Sequence, residues 1–176
     1  ADQFPAQALA RTRAKKYGVP IFPSIADALT LGTGRLAVDG VVIIGEHGDY
    51  PHNEIGQHLY PRYEFFQQVV KVFEASGRSV PVFNDKHLST DWKQCAAMVP
   101  DSKRLGFPFL AGSSLPVTRR LPAIDLPWGT PLVESVAIGY GGVDSYEFHG
   151  LETAHGMSER GRGRATVAGR GGERMG

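Results

Sequence analysis

The chain of 176 residues holds one cysteine, Cys95. That excludes an internal disulfide and a zinc site built from cysteine alone. Cys95 falls in an expected helix and reads as a buried, inert thiol. No apolar run approaches the ~18–20 residues that a bilayer span needs. No basic-then-apolar signal segment opens the sequence, so a cytoplasmic protein with no membrane partner is expected. The body of the chain also lacks a basic patch. Net charge is +1, yet from Gly156 onward five arginines and two glutamates supply +3, which leaves −2 for the rest. No nucleic-acid partner is therefore expected. A phosphate-cradling glycine loop is missing as well. Gly32-Thr33-Gly34 is too short for Gly-x-Gly-x-x-Gly and follows a helix, and no strand with that motif precedes residue 17.

What remains is an ordinary globular composition, 41% hydrophobic and 21% charged, enough for one domain with a sizeable core. Residues 4–17 have helical spacing of Leu9, Ala10, Ala14 and Tyr17, with Gly18 as a stop. Val19–Phe22 reads as a short edge strand. Ser24-Ile25-Ala26-Asp27 resembles a capping box for a helix ending at Gly32. A strand is expected over 37–44, where Val41–Ile44 reads as buried on both faces. A helix over 61–75 carries Phe65, Phe66, Val69, Val70 and Phe73 as its apolar stripe and ends at Gly77. A strand over 80–83, a helix from about Thr90 to Leu105 with a possible reset at Pro100, and a strand over 107–111 follow.

Strands alternating with helices predict right-handed βαβ units and a mostly parallel sheet. The expected fold is a three-layer open α/β sheet, an incomplete Rossmann-like arrangement. Residues 1–115 form its core. Residues 116–160 form a proline-rich connection, a strand at 133–140 and a helix capped by Asp144 with Glu147. Residues 161–176, rich in glycine and arginine, form a disordered tail.

Chemistry-bearing residues follow each strand. Glu46, His47 and Asp49, with His52, Asn53 and Glu54 beyond, stand at the carboxyl end of the strand 37–44, where open α/β sheets bind ligands. Carboxylate and imidazole together suit a divalent ion; the same residues also suit a solvated turn in which Asp49 and Asn53 satisfy backbone N–H groups. Asn84-Asp85-Lys86-His87 follows the next strand and should share that edge. Asp85 and His87 are candidate ligands there, and Lys86 a candidate oxyanion partner or base. Gly112-Ser113-Ser114 follows the third strand. It is not a nucleophile elbow, but a serine with His47 or His87 as base fits, as does simple helix capping. His149 and Glu152 share one face of the last helix, while His155, six residues on from His149, is too far round to share a metal; a surface pair is the simpler reading. Trp92 and Trp128 read as core and loop anchors.

Tyr17-Gly18-Val19-Pro20, Ser24-Ile25, Val38-Asp39-Gly40-Val41-Val42-Ile43, Glu74-Ala75-Ser76-Gly77 and Phe107–Ala111 occur in order. Over 17–119 they resemble the second half of the nucleotide-binding domain of the Gfo/Idh/MocA oxidoreductases. Lys86 stands where that family has the lysine of Glu-Lys-Pro; Asp85 and His87 replace its glutamate and proline. The Gly-Glu-His-Gly-Asp-Tyr-Pro turn and Asn-Asp-Lys-His also resemble segments of a bacterial group that shares both. The resemblance implies part of a larger Rossmann protein without its first βα unit, and an NAD(P)-dependent oxidoreductase.

The acid–imidazole edge is present and the dinucleotide cradle is not. The sequence therefore predicts a hydrolase of a small ester or lactone, less well a glycosidic bond, assisted by a divalent metal such as calcium, magnesium or zinc. Glu46, His47, Asp49, Lys86 and His87 are the expected catalytic residues, and Glu46, His47, Asp49 and Asp85 the expected ligands. The alternatives are the oxidoreductase and a non-catalytic metabolite-binding domain. In each case the partner is a small molecule.

Overall fold

Each strand of the central sheet begins where a proline has just passed, or where one lies alongside. The computed structural model describes residues 4–45, 48–142 and 146–162. Its sheet is three-stranded and parallel in the order β1 (Val41–Ile43), β2 (Val82–Asp85), β3 (Phe109–Gly112). Val41 N–H donates to Pro81 O and Val82 N–H to Pro108 O, both at 2.9 Å. Proline has no N–H for a ladder but keeps its carbonyl. Strands β2 and β3 therefore start one residue after each proline, later than the sequence pattern suggests. This shift takes Asn84 and Asp85 into β2 and sets Lys86 just past its end.

Helices flank this open sheet, an α/β arrangement of incomplete Rossmann-like form. They are α1 (Phe4–Tyr17), α2 (Ile25–Thr30), α3 (Arg62–Ser76), α4 (Trp92–Leu105) and α5 (Phe148–Ser158). Ser24 caps α2 as expected, its hydroxyl oxygen accepting from Asp27 N–H at 3.0 Å. Asp91 caps α4 through Gln94 N–H at 3.0 Å. Pro100 lies inside α4 without resetting it. Gly77 closes α3 with φ +59°, a left-handed conformation that glycine adopts without strain.

The core sits between α3 and one face of the sheet. Phe66, Val69, Val70 and Phe73 from α3 meet Ile43, Val82 and Met98, all buried. Phe66 packs against Phe109 at 5.0 Å and Phe107 at 6.2 Å between ring centroids; Phe73 meets Phe107 edge-on at 5.3 Å. Phe66 has no solvent exposure at all. Replacing it with alanine removes its transfer energy and leaves a cavity. Phe66→Ala is expected to lower stability by about 3–5 kcal/mol, read as a fall in the urea midpoint at unchanged slope.

Several expectations are corrected. Val41–Ile44 is not buried on both faces: Ile43 is buried, but Val42 and Ile44 are 64% and 66% exposed. Among the described residues β1 is an edge strand, and α3 packs on the face that carries Ile43. On the other face Val42, Phe83 and Leu110 lie in register straight across the sheet, with Leu110 also exposed. Residues 19–22 form no strand; Pro20 and Pro23 remove donors, and Val19 and Ile21 are exposed. The helix α2 ends on Leu31, itself left-handed at φ +49°, one residue before Gly32. Residues 133–140 form no strand either. Val133, Val136, Ile138 and Tyr140 are all exposed, with no neighbouring strand among the described residues. Trp92 is 81% exposed and is no core anchor. Cys95 is half-buried; its thiol donates to Ser89 O at 3.4 Å, and burial raises its pKa.

The proline-rich stretch after β3 opens with a 3-10 turn, Leu115–Val117, on which α5 packs. Thr130–Pro131 (β4) pairs with Gly161–Arg162 (β5), so the first two residues assigned to the tail join a short parallel ladder. The rest of the tail, and Asp144 of the expected cap, lie outside the described residues. Glu147, the other cap residue, makes no side-chain cap bond. No helix among the described residues is long and apolar enough to cross a membrane.

Candidate functional site

The parallel register brings the ends of β2 and β3 together. Asp85 of β2 stands opposite Gly112 of β3, so Lys86 and Ser113 leave the sheet side by side. Lys86 Nζ bonds Asp85 Oδ2 at 3.0 Å, with both side chains largely buried. Burial lowers the Lys86 pKa. The next strand residue inward, Asn84, is wholly buried: its amide donates to Asp85 O at 2.8 Å, while its Oδ1 accepts no hydrogen bond among the described residues.

Helix α5 closes over this edge. Ser113 Oγ lies 2.5 Å from His149 Nδ1. The same oxygen accepts from Leu115 N–H at 3.1 Å, which opens the 3-10 turn. With Leu115 as donor to Oγ, the serine's own hydrogen is free to point at a neutral imidazole. Ser113 is 7% exposed, so little water competes for the pair. Burial lowers the His149 pKa below its ordinary 6.5, and the Lys86 ammonium pushes it the same way; Asp85 and Glu152 push it back up. The net direction leaves His149 neutral at pH 7, the form that can take a proton. One turn along α5, Glu152 Oε2 accepts the Ser113 backbone N–H at 3.0 Å.

His87 packs between side chains from the start of α3 and from α5. Arg62 Nη1 stands 3.4 Å from His87 Nε2, and arginine only donates, so that nitrogen acts as an acceptor. Arg62 is 3% exposed and lies 4.2 Å from the centre of the Tyr60 ring. His87 sits edge-on to Tyr60 at 6.2 Å and to Phe148 at 6.5 Å. It is a packed member of a ring cluster joining α3 to α5.

The loop after β1 separates into parts. Glu46 and His47 lie outside the described residues. Asp49 is exposed. Asn53 is the turn-former that the polar composition allowed, its Oδ1 accepting from Ile55 N–H at 3.2 Å and Gln57 N–H at 2.9 Å. His52 and His58 face each other across a bridge, their rings stacked at 4.5 Å. Among the described residues no three His, Cys, Asp or Glu side chains gather closely enough to hold a metal ion. Of the four expected ligands, Asp49 and Asp85 are described and Glu46 and His47 are not. His155 points elsewhere, toward Glu159 at 3.8 Å on the exposed side of α5.

Sequence reasoning named Ser113 with His47 or His87 as its base, and read His149 and Glu152 as a surface pair; among the described residues it is His149 that lies within hydrogen-bond distance of Ser113 Oγ. Their spacing of three did put them on one helix face. What that face meets depends on the path of 116–147, which carries little periodic signal. No family model matches the chain, and no curated protein or solved structure matches it either. The resemblance to Gfo/Idh/MocA oxidoreductases thus stands on the residues quoted for it alone.

Proposed function

We propose that the protein is a hydrolase of small esters or lactones, with Ser113 as nucleophile and His149 as its base. The observation that carries this reading is the 2.5 Å contact between the buried Ser113 Oγ and the half-buried imidazole of His149, whose pKa is lowered, at the carboxyl edge of a parallel sheet. Ser113 Oγ attacks the carbonyl carbon and its proton passes to His149 Nδ1. The carbonyl π electrons move to oxygen. The oxyanion then collapses, and the leaving alkoxide takes the proton from His149. Water, deprotonated by His149, attacks the acyl-serine carbonyl; the bond from that carbon to Ser113 Oγ then breaks, Oγ takes the proton back from His149, and the acid leaves. Lys86, whose charge acts on His149, supplies positive potential near the developing oxyanion.

Hydrolysis of p-nitrophenyl acetate tests this. His149→Ala is expected to lower kcat/KM by about 10²–10⁴-fold, the usual contribution of a general base. In the wild type kcat/KM should be flat above neutrality and fall on the acid side, with its midpoint below 6.5, because protonation of His149 removes the base. EDTA should leave the rate unchanged. A rate abolished by EDTA and restored by zinc, magnesium or calcium would return the reaction to a metal held by Glu46, His47, Asp49 and Asp85.

A further inference from the structure

A carboxylate occupies the one place where this chemistry needs a hydrogen-bond donor kept open. A tetrahedral oxyanion needs N–H donors at about 2.7–3.1 Å, and the backbone N–H of a serine nucleophile is well placed to be one. Here the Ser113 N–H is already bonded, at 3.0 Å, to Glu152 Oε2. The preceding residue leaves room for that oxygen. Gly112 has φ +144°, and a Cβ built on it would lie 2.7 Å from Glu152 Oε2. A side chain at position 112 would thus compete with whatever oxygen sits there.

We infer that the Ser113 N–H is an oxyanion-binding donor and that Glu152 is a removable internal plug in it. The inference rests on the hydrolase reading and extends it. A carboxylate oxygen and an oxyanion match in size and charge, so the space beside Gly112 admits either. It does not admit both, since like charges sharing one donor repel. Glu152 therefore leaves before the tetrahedral intermediate forms. Its side-chain torsions let the carboxylate swing away while His149, on the same helix, keeps its bond to Ser113. Neutral esters and lactones, which become anionic only on attack, are the substrates this arrangement suits. Small carboxylates meet the plug already in the ground state.

Phenylboronic acid is the probe. Boron accepts the Ser113 Oγ lone pair, the proton goes to His149, and the product is a tetrahedral anion. Its inhibition constant is measured against p-nitrophenyl acetate for wild type, Glu152→Gln and Glu152→Ala, with melting curves for each. Glu152→Ala is expected to bind about tenfold tighter than wild type, the like charge having gone, with Glu152→Gln between them. Ser113→Ala should not bind it in any background. If inhibition of the wild type needs Ser113 but both Glu152 variants bind no tighter, Glu152 is a positioning residue and the plug is refuted. If no variant turns over ester or binds boronate, the hydrolase reading fails and the plug falls with it.

Discussion

Ser113→Ala is expected to lower ester hydrolysis on the order of 10³-fold or more, with the protein still folded. The size follows from the role. Without Oγ there is no covalent intermediate, and His149 is left to activate a water that is not held at 2.5 Å. The fold should survive for reasons visible at the site. The substitution removes a hydroxyl whose two partners are Leu115 N–H and His149 Nδ1, and neither belongs to the buried apolar core. Loss of one such hydrogen bond costs about 0.5–1.5 kcal/mol, and the Glu152 bond to the Ser113 backbone does not depend on the side chain. The check is a pair of measurements on one preparation: initial rate on p-nitrophenyl acetate, and a urea melt. A Ser113→Ala protein that keeps more than a tenth of the rate would end the case for this nucleophile.

Lys86→Met should produce the second large effect, and in two separable ways. It removes the cation that supplies potential beside Ser113, which is worth about 10²–10³-fold in kcat where such a group faces an oxyanion. It also removes a charge that holds the His149 pKa down. The acid limb of kcat/KM should therefore move to higher pH. Asp85→Asn works in the opposite sense, because Asp85 raises the His149 pKa, and its acid limb should move lower. The folding linkage has a definite sign too. His149 has a folded pKa below its unfolded one, so the unfolded chain binds more protons in acid, and stability is lost as pH falls below about 6.5. Above that pH the group contributes no pH dependence. A Lys86→Met enzyme with reduced kcat and an unmoved acid limb would separate the two effects and take the electrostatic link to His149 away.

The sequence reading did best where side-chain period and backbone chemistry agreed. The stripe Phe66, Val69, Val70, Phe73 could face only a core, and Gly77 could only end it. Ser24 with Asp27 marked a helix start because the hydroxyl has one good use there. The parallel alternation followed from the order of elements. It did less well where long-range geometry decides. Val42 and Ile44 look like core residues, but among the described residues β1 is an edge strand and both side chains are exposed. Val133–Tyr140 has β-prone residues but, among the described residues, no strand to pair with. Pro81 and Pro108 displaced two strand starts, and that displacement set which residues sit at the sheet edge. The place of Asp85 and Lys86 at the carboxyl edge of the sheet was legible from the apolar run that precedes them. His149 was not, because its partner is Ser113, 36 positions away in sequence, across a connection with few periodic signals.

The central claim is that Ser113, activated by His149, is a nucleophile. Peptide mapping after incubation with a fluorophosphonate tests it most directly, since that reagent modifies a serine only when a base has made it reactive. A single adduct on the peptide containing Ser113, absent in His149→Ala, is the result expected. No adduct on Ser113 in a folded, full-length protein would contradict it.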